Sequence, residues 1–278
     1  MNTTASLLRV SALQTPLVWE NPTANAEAIG RQIGALDGPC DLIVLPEMWA
    51  TGFTMDPGTH ACVLPRAWQN DEAPWPAPLA AMRQWARERD AAVIGSLSCR
   101  DEAIAHPVNR CFFVPPNGPV EFYDKRHLFT FAGENAAYGP GEDRVIVEWR
   151  GWRILLQVCY DLRFPVFSRN RNEDRYDAAV YVANWPAARV GAWESLLVAR
   201  AIENQCYVVG VNRVGADGKG IDHSGGSALI DAYGQTQAEL EPDACGWVRG
   251  DWDRSELDRY RTKFPVLGDA DPFKLRSP

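Results

Sequence analysis

The sequence predicts a layered α/β protein in which some strands pair antiparallel. Short apolar runs alternate with amphipathic stretches along the chain, and two pairs of runs are separated by the turn residues of β-hairpins. Of the 278 residues, 46% are hydrophobic and 23% charged, which is typical of a globular chain with a large core. Because we find no internal repeat or low-complexity linker, we expect a single domain over residues 1–278, with a C-terminal tail from about residue 253.

The first half of the chain predicts alternating strands and helices. A first strand is expected over residues 7–13, followed by a helix over 21–36 with Thr23 as its N-cap and Gly38-Pro39 after its end. Short continuous apolar runs predict strands buried on both faces at 41–46 and 91–98, and a helical pattern covers 78–90. The Pro- and Trp-rich stretch 57–78 is long and irregular, so we expect it to be an active-site cover or a binding loop.

The second half of the chain adds two hairpins, further buried strands and a long helix. Asn117-Gly118 and Arg150-Gly151 each separate two strand-like runs, and Asn-Gly tolerates the positive φ that tight hairpin turns require. Apolar residues at helical spacing predict a helix over 192–204. Strands are predicted at 111–114, 120–123, 145–149, 153–158, 178–183, 207–211, 227–230 and 247–251, and a charged helix begins the tail.

Composition excludes several classes of protein. Lysine and arginine number 28 against 36 acidic residues, and a net charge of −8 without a basic run argues against binding to nucleic acid or to an anionic membrane. No apolar stretch reaches the roughly 18 residues of a membrane span, and the first ten residues lack the features of a secretion signal. We therefore expect a cytoplasmic protein that neither spans nor binds a membrane.

The cysteines and histidines predict neither a disulfide framework nor a zinc site. Seven cysteines is an odd number, no C-x-x-C pair occurs, and the four histidines lack the spacing of metal ligands. Most of these thiols are expected to be small core residues. We therefore predict no metal at the functional site.

Two buried strands end in residues that can do chemistry. The apolar run 42–46 is followed by Glu47, and the run 154–158 is followed by Cys159. Active sites of α/β sheets gather at the carboxyl ends of strands. A cysteine at a strand-to-turn elbow is well placed as a nucleophile, because the backbone N–H of the next residue, Tyr160, can point at an oxyanion. The alternatives are a surface carboxylate that caps the next helix and a buried core thiol.

A thiol nucleophile also needs a base and a donor for the oxyanion. His127 is the histidine in the most suggestive context, but the neighbouring Lys125 and Arg126 would lower its basicity. A carboxylate whose pKa is raised by burial is a substitute base, and a lysine can serve as the oxyanion donor. In isolation Lys125 reads as a solvated charge and Glu134 as an ordinary loop carboxylate.

Three motifs in order resemble the nitrilase, or carbon–nitrogen hydrolase, superfamily and its Glu–Lys–Cys triad. They are LIVLPEMWATGF, YDKRHLF and QVCYDLRFP, and the intervals of 78 and 34 residues between Glu47, Lys125 and Cys159 suit that family. The resemblance implies Cys159 as nucleophile, Glu47 as general base and Lys125 with the Tyr160 N–H as oxyanion donors. It places Glu134 as a second glutamate that orients the lysine and the substrate. It further implies a four-layer α-β-β-α sandwich, a homodimer or larger homo-oligomer, and no cofactor.

The stretches PEMWATGFTMD, CYDLRFPVFSRN and VANWPAAR are most similar to the ω-amidase branch of that superfamily. Those enzymes hydrolyse the terminal amide of 2-oxoglutaramate or 2-oxosuccinamate to the 2-oxo diacid and ammonia. Such a substrate requires a cation for its distal carboxylate, for which Arg189 is the candidate, whereas Arg163 is expected to form a structural ion pair with Asp161. The candidate walls of the pocket are Met48, Phe53 and Trp185.

Three alternatives remain open from the sequence. One is another amidase of the superfamily, acting on a peptide-like, N-carbamoyl or aliphatic amide. The second is a non-catalytic oligomer or small-molecule-binding module, although all of Glu47, Lys125, Glu134 and Cys159 are present. The third is a papain-like hydrolase in which His127 is the base for Cys159.

Overall fold

The computed structural model describes residues 7–66, 68–70 and 75–275. In chain order, the first half contains β1 (Leu7–Gln14), α1 (Pro22–Gly34), β2 (Leu42–Val44), α2 (Pro57–His60), β3 (Cys62–Leu64), α3 (Ala77–Arg89), β4 (Ala92–Asp101), β5 (Val108–Val114), β6 (Glu121–Asp124) and α4 (Glu134–Ala137). The second half contains β7 (Ile146–Trp149), β8 (Trp152–Val158), α5 (Pro165–Ser168), β9 (Ala178–Ala183), α6 (Val190–Asn204), β10 (Tyr207–Asn212), β11 (Ala228–Ile230), β12 (Thr236–Glu239), β13 (Gly246–Asp253) and α7 (Arg254–Lys263).

The strands form two mixed sheets. The first has the order β13-β1-β2-β4-β5-β6, with β3 also paired to β4, and the second has the order β12-β11-β10-β9-β8-β7. In each sheet the central strands are parallel, β1 with β2 and β4, and β8 with β9 and β10. The hairpins β5–β6 and β7–β8 are antiparallel, as the turn signals predict. The carboxyl ends of the parallel strands can therefore carry functional side chains of both sheets.

Alternating side chains of the first sheet enter two different cores. Leu42 and Val44 of β2 pack in the core that also holds residues of the second sheet, whereas Ile43 lies in the core shared with α1 and α3. Successive side chains of a strand point to opposite faces, so this sheet is buried on both sides. Trp193 and Leu197 of α6 cover the second sheet. The layers are thus α-β-β-α, and the four-layer sandwich is confirmed.

Both sheets contribute to one core, which supports a single domain, although that division of the chain stays a prediction. The C-terminal helix α7 packs on this core through Leu257 and is fixed by Arg261, which donates to the Asp177 carboxylate at 2.9 Å. Within the described residues, no helix is long and apolar enough to cross a bilayer.

The structure adds to or departs from the sequence pattern in three places. The N-cap of α1 is Asn21 rather than Thr23: its side chain accepts from Ala24 N at 3.1 Å, and Pro22 occupies the first helical position, where its missing N–H costs nothing. The edge strand β12 is mostly exposed and therefore lacks the apolar pattern that predicts strands. The described part of 57–78 does not cover a cavity at Cys159 but adds β3 to the sheet and buries Trp68; Ala67 and residues 71–74 lie outside the described residues.

Candidate active site

A lysine lies between two carboxylates in the interior. The Nζ of Lys125 donates to Glu47 Oε1 at 2.9 Å and to both carboxylate oxygens of Glu134 at 2.9 Å. All three side chains are fully buried, and the ring of Phe53 lies 5.2 Å from the ammonium group. Buried charges of this kind persist only when they are paired, so the cluster is a fixed constellation rather than a set of mobile side chains.

The fold delivers each member of the cluster from the end of a strand or the start of a helix. Glu47 follows β2 and Lys125 follows β6, where the backbone N–H of Lys125 donates to Asn109 O at 2.9 Å. Glu134 opens α4, and its Oε2 accepts from Phe129 N at 2.6 Å. The loop between Lys125 and Glu134 is therefore folded back on itself, which brings two residues that are close in sequence to the same ammonium group.

Cys159 lies on a strained elbow between β8 and a 3₁₀ turn over Cys159–Arg163. Its φ of +47° is in the left-handed region, which non-glycine residues rarely adopt and which recurs at functional sites. Because the turn begins at Cys159, the N–H groups of its first residues, including Tyr160, have no carbonyl partner within the turn. The residue is only 9% exposed, so its thiol is largely shielded from solvent.

Asp161 ties this elbow to the loop that carries Lys125. Its carboxylate accepts from Val158 N at 3.0 Å, Tyr123 Oη at 2.8 Å and His127 N at 3.0 Å, and its Oδ1 lies 2.8 Å from His127 Nδ1. The His127 ring also stacks on Phe164 with ring centroids 3.8 Å apart. His127 therefore supports the elbow and, within the described residues, makes no hydrogen bond to Cys159, which argues against a papain-like pair.

The burial of the cluster sets the protonation states of its members. Burial alone lowers the pKa of Lys125, but the charges of Glu134 and Glu47 outweigh it and raise that pKa, so the ammonium form persists. Burial raises the pKa of Cys159 well above its usual value, and the carboxylate of Glu47 raises it further. Burial also raises the pKa of Glu134. At neutral pH Cys159 is therefore a thiol, and any reaction through its sulfur needs a base that takes this proton.

Cys159 opens into a cavity of about 250 Å³. Its lining brings together four residues that the sequence assigns to substrate binding, namely Phe53, Tyr160, Trp185 and Arg189. Met48 does not line it but lies fully buried with a φ of +44°. This volume is smaller than the roughly 300–1,000 Å³ of pockets for drug-sized ligands, so it suits a small substrate.

Arg163 also lines this cavity, and its expected ion pair with Asp161 is wrong. Its guanidinium lies 4.9 Å from the ring of Trp185, and no carboxylate within the described part of the chain lies at salt-bridge distance from it. The physical reason is that the Asp161 oxygens are already occupied by the N–H and O–H donors of the elbow. Arg163 and Arg189 thus line the same cavity, together with Lys219 and the acidic Asp217.

Two asparagines of the site were missed by sequence reasoning. Asn109 Nδ2 donates to Glu47 Oε1 at 2.7 Å, and the backbone N–H of Asn184 donates to Glu47 Oε2 at 2.8 Å. Asn184 directly follows β9, so its position at a strand end was an available signal. Asn109 lies within β5, in a stretch that the pattern did not assign to the strand, and nothing in the local sequence marked it.

Replacement of Asp161 by alanine is expected to destabilise the fold. The variant leaves the buried donors of Val158 and Tyr123 without partners, each at a cost of about 1–3 kcal/mol, so the free energy of unfolding should fall by roughly 3 kcal/mol or more. Urea unfolding monitored by circular dichroism measures this change. The exposed Asp37→Ala serves as control, and an equal stability for both variants would contradict the role of Asp161.

Comparison with known proteins assigns the chain to a family. The family model described as carbon–nitrogen hydrolase matches residues 9–262. The chain belongs to the carbon–nitrogen hydrolase family. Its cluster of glutamate, lysine and cysteine is thus seen in a carbon–nitrogen hydrolase fold, and the family resemblance read from the sequence is confirmed.

Several relatives of this carbon–nitrogen hydrolase have assigned activities. The chain is 46% identical over 268 residues to an Escherichia coli protein named omega-amidase YafV, and the match covers 96% of this chain and 98% of the relative. It is 28% identical over 262 residues to a 2-oxoglutaramate amidase of Bacillus subtilis, with coverage of 94% and 96%. Among solved structures, a CN-hydrolase superfamily protein of Xanthomonas campestris, described with an arsenic adduct in its active site, has a TM-score of 0.88 at 40% identity, with coverage of 97% and 99%.

Proposed function

We propose that this protein is an ω-amidase, which hydrolyses the terminal amide of a small 2-oxo acid amide such as 2-oxoglutaramate or 2-oxosuccinamate to the 2-oxo diacid and ammonia. The observation that carries the chemistry is the placement of the Lys125 ammonium between two buried carboxylates beside a buried thiol. The choice of substrate rests on the full-length similarity to proteins named omega-amidase and 2-oxoglutaramate amidase.

In the acylation half-reaction, Cys159 is the nucleophile and Glu47 the general base. The thiol gives its proton to Glu47 as its sulfur bonds to the amide carbonyl carbon, and the carbonyl oxygen becomes an oxyanion. The Lys125 ammonium and the Tyr160 N–H stabilise this oxyanion. Glu47 then returns the proton to the amide nitrogen, the C–N bond breaks, ammonia leaves, and a thioester remains on Cys159.

In the deacylation half-reaction, water replaces the thiol as the nucleophile. Glu47 takes a proton from the water as its oxygen bonds to the thioester carbonyl carbon, and the same donors stabilise the second oxyanion. Collapse breaks the C–S bond, the proton returns to sulfur, and the carboxylic acid product leaves. Glu134 keeps the Lys125 ammonium aimed at the oxyanion in both steps, since both of its carboxylate oxygens accept from Nζ.

The cavity suits a substrate with a negative charge. Arg163 and Arg189 both line it and, within the described residues, neither forms an ion pair; the Arg189 guanidinium lies 5.4 Å from the ring of Phe129. A guanidinium on an aromatic face keeps its N–H donors free for a carboxylate. This supports a substrate that carries a carboxylate at the end opposite its amide.

Replacement of Arg189 by methionine is expected to raise KM for 2-oxoglutaramate with little change in kcat. Loss of a charge-assisted hydrogen bond of about 1.5–3 kcal/mol lowers kcat/KM by roughly 10- to 100-fold. Steady-state ammonia release measures this, with neutral pentanamide as the comparison substrate and the exposed Arg259→Met as control variant. An equal loss on the neutral amide would contradict recognition of the carboxylate by Arg189.

The proposed function is tested by ammonia release from purified protein across a panel of small amides. We expect 2-oxoglutaramate and 2-oxosuccinamate to be hydrolysed with a higher kcat/KM than a neutral aliphatic amide, an N-carbamoyl amino acid or a dipeptide amide. A higher kcat/KM on one of the other amides would assign the chain to another branch of the family. Absence of ammonia release from every amide would favour a non-catalytic binding module.

The assembly and cellular location are part of the same proposal. We propose a cytoplasmic homodimer or larger homo-oligomer that acts on a small-molecule amide and uses no cofactor. Exposed apolar side chains on α5 and α6 support pairing through this side of the protein, with Val166 55% exposed and Ile202 49% exposed. Light scattering of the purified protein measures the mass of the assembly, which we expect to be a multiple of the mass of one chain.

A further inference from the structure

An amide side chain lies against both carboxylates of the site. Asn109 is fully buried, and its Nδ2 donates to Glu47 Oε1 at 2.7 Å and to Glu134 Oε1 at 3.3 Å. Its backbone carbonyl accepts from the N–H of Lys125 at 2.9 Å. Asn109 therefore contacts all three charged members of the cluster without itself carrying a charge.

The orientation of this amide follows from its neighbours. The two carboxylate oxygens that it faces already accept from the Lys125 ammonium, so the part of the amide that faces these acceptors is the NH₂ group rather than the carbonyl oxygen. The Asn109 Oδ1 on the other side has no hydrogen-bond partner within the described residues. A buried oxygen without a partner costs free energy of folding. The contribution of Asn109 therefore comes from the hydrogen bonds that its NH₂ group donates.

Three nitrogen donors of the described residues hydrogen-bond the side chain of Glu47. Its Oε1 accepts from Lys125 and Asn109, and its Oε2 accepts from the Asn184 backbone N–H at 2.8 Å. Hydrogen bonds to an ionised carboxylate lower its proton affinity and fix its direction. The other titratable or charged groups that act on Glu47 or are acted on by it are Glu134, Cys159, Cys111 and Tyr138.

We propose that Asn109 is a positioning residue that holds Glu47 and Glu134 ionised and aligned for proton transfer from Cys159. This inference rests on the proposed function, because it assigns a part in that reaction. Without the amide donors both carboxylates bind a proton more readily, so they become neutral at a higher pH. As the pH falls, activity is then lost at a higher pH than in the wild type.

The test compares Asn109→Leu, which keeps the size of the side chain but removes its donors, with the matched control Asn170→Leu. Asn170 is also buried, but its Nδ2 donates to the backbone carbonyls of Tyr176 and Asn204, at 2.9 Å each. We expect the acid limb of the kcat/KM profile to move up by about one pH unit or more in Asn109→Leu. Asn170→Leu is expected to lower stability and leave the limb in place. Asn109→Ala gives the same comparison if the leucine variant does not fold.

A second measurement makes failure of this inference distinguishable from failure of the proposed function. The carboxyl carbon of Glu47 is titrated by ¹³C NMR in wild type and Asn109→Leu, with the resonance assigned by its loss in Glu47→Gln. An upward shift of the titration midpoint supports the role of Asn109 even if the wild type hydrolyses no amide. Coincident midpoints in the two proteins overturn it, even if the wild type is an active ω-amidase.

Discussion

Replacement of Cys159 by alanine is expected to lower kcat for ammonia release by on the order of 10⁴-fold or more. In the proposed mechanism the sulfur of Cys159 forms the thioester, so its loss removes both half-reactions at once. The lost side chain is small, and the backbone N–H groups and backbone contacts of the turn stay in place, so we expect the fold to persist. Ammonia release and circular dichroism of the same preparation measure the two effects.

The exposed Cys245 provides the control for this experiment. Cys245→Ala should hydrolyse 2-oxoglutaramate at the wild-type rate, and mass spectrometry of a rapidly quenched reaction should find the acyl group on Cys159. Iodoacetamide labelling is best done in the Cys245→Ala background, because an exposed thiol reacts whether or not it is catalytic. Activity of the Cys159→Ala variant within tenfold of wild type would end the proposed mechanism.

Replacement of Lys125 by methionine is expected to reduce both activity and stability strongly. In the proposed mechanism Lys125 is an oxyanion donor, and loss of such a donor costs roughly 10²- to 10³-fold in kcat. The variant also leaves Glu47 and Glu134 buried without their shared counter-charge, and breaking a buried ion pair from one side costs about 3–5 kcal/mol. Chemical denaturation and ammonia release measure the two losses, with the exposed Lys263→Met as control.

A double variant separates the two effects of this lysine. In Lys125→Met with Glu134→Gln, one of the two uncompensated carboxylates is replaced by a neutral amide, so part of the lost stability should return. The kcat should stay low, because no ammonium group faces the oxyanion. Recovery of activity together with stability would show that Lys125 supports only the fold.

Part of this architecture could be predicted from the sequence because buried strands are continuous apolar runs. The runs that precede Glu47 and Cys159 predict that these residues lie at strand ends, and the structure brings both into one buried cluster, from which Cys159 also reaches the cavity. The four-layer arrangement came from the resemblance of three motifs, since strand patterns alone do not say how two sheets stack. Family membership was confirmed by the matching family model.

Other features depend on contacts between distant segments and leave no local pattern. Asn109 touches Glu47 across 62 residues of sequence, and no periodicity marks such a pair. The predicted ion pair of Arg163 with Asp161 does not form, because the carboxylate of Asp161 is occupied by donors from Tyr123 and His127, which are far away in sequence. The roles of the individual site residues stay predictions until the variants are measured.

The two sheets supply different parts of the reacting constellation. Glu47 follows a strand of the first sheet, whereas Cys159 and Asn184 follow strands of the second. Asn184 joins the two sheets, because its backbone N–H donates to the Glu47 carboxylate and its Nδ2 donates to the Glu47 backbone carbonyl. In the proposed mechanism, a small slip of one sheet over the other would thus separate the base Glu47 from the nucleophile Cys159 before any layer unfolded. We therefore expect kcat to respond to small changes in the packing of the two sheets that leave the melting temperature unchanged.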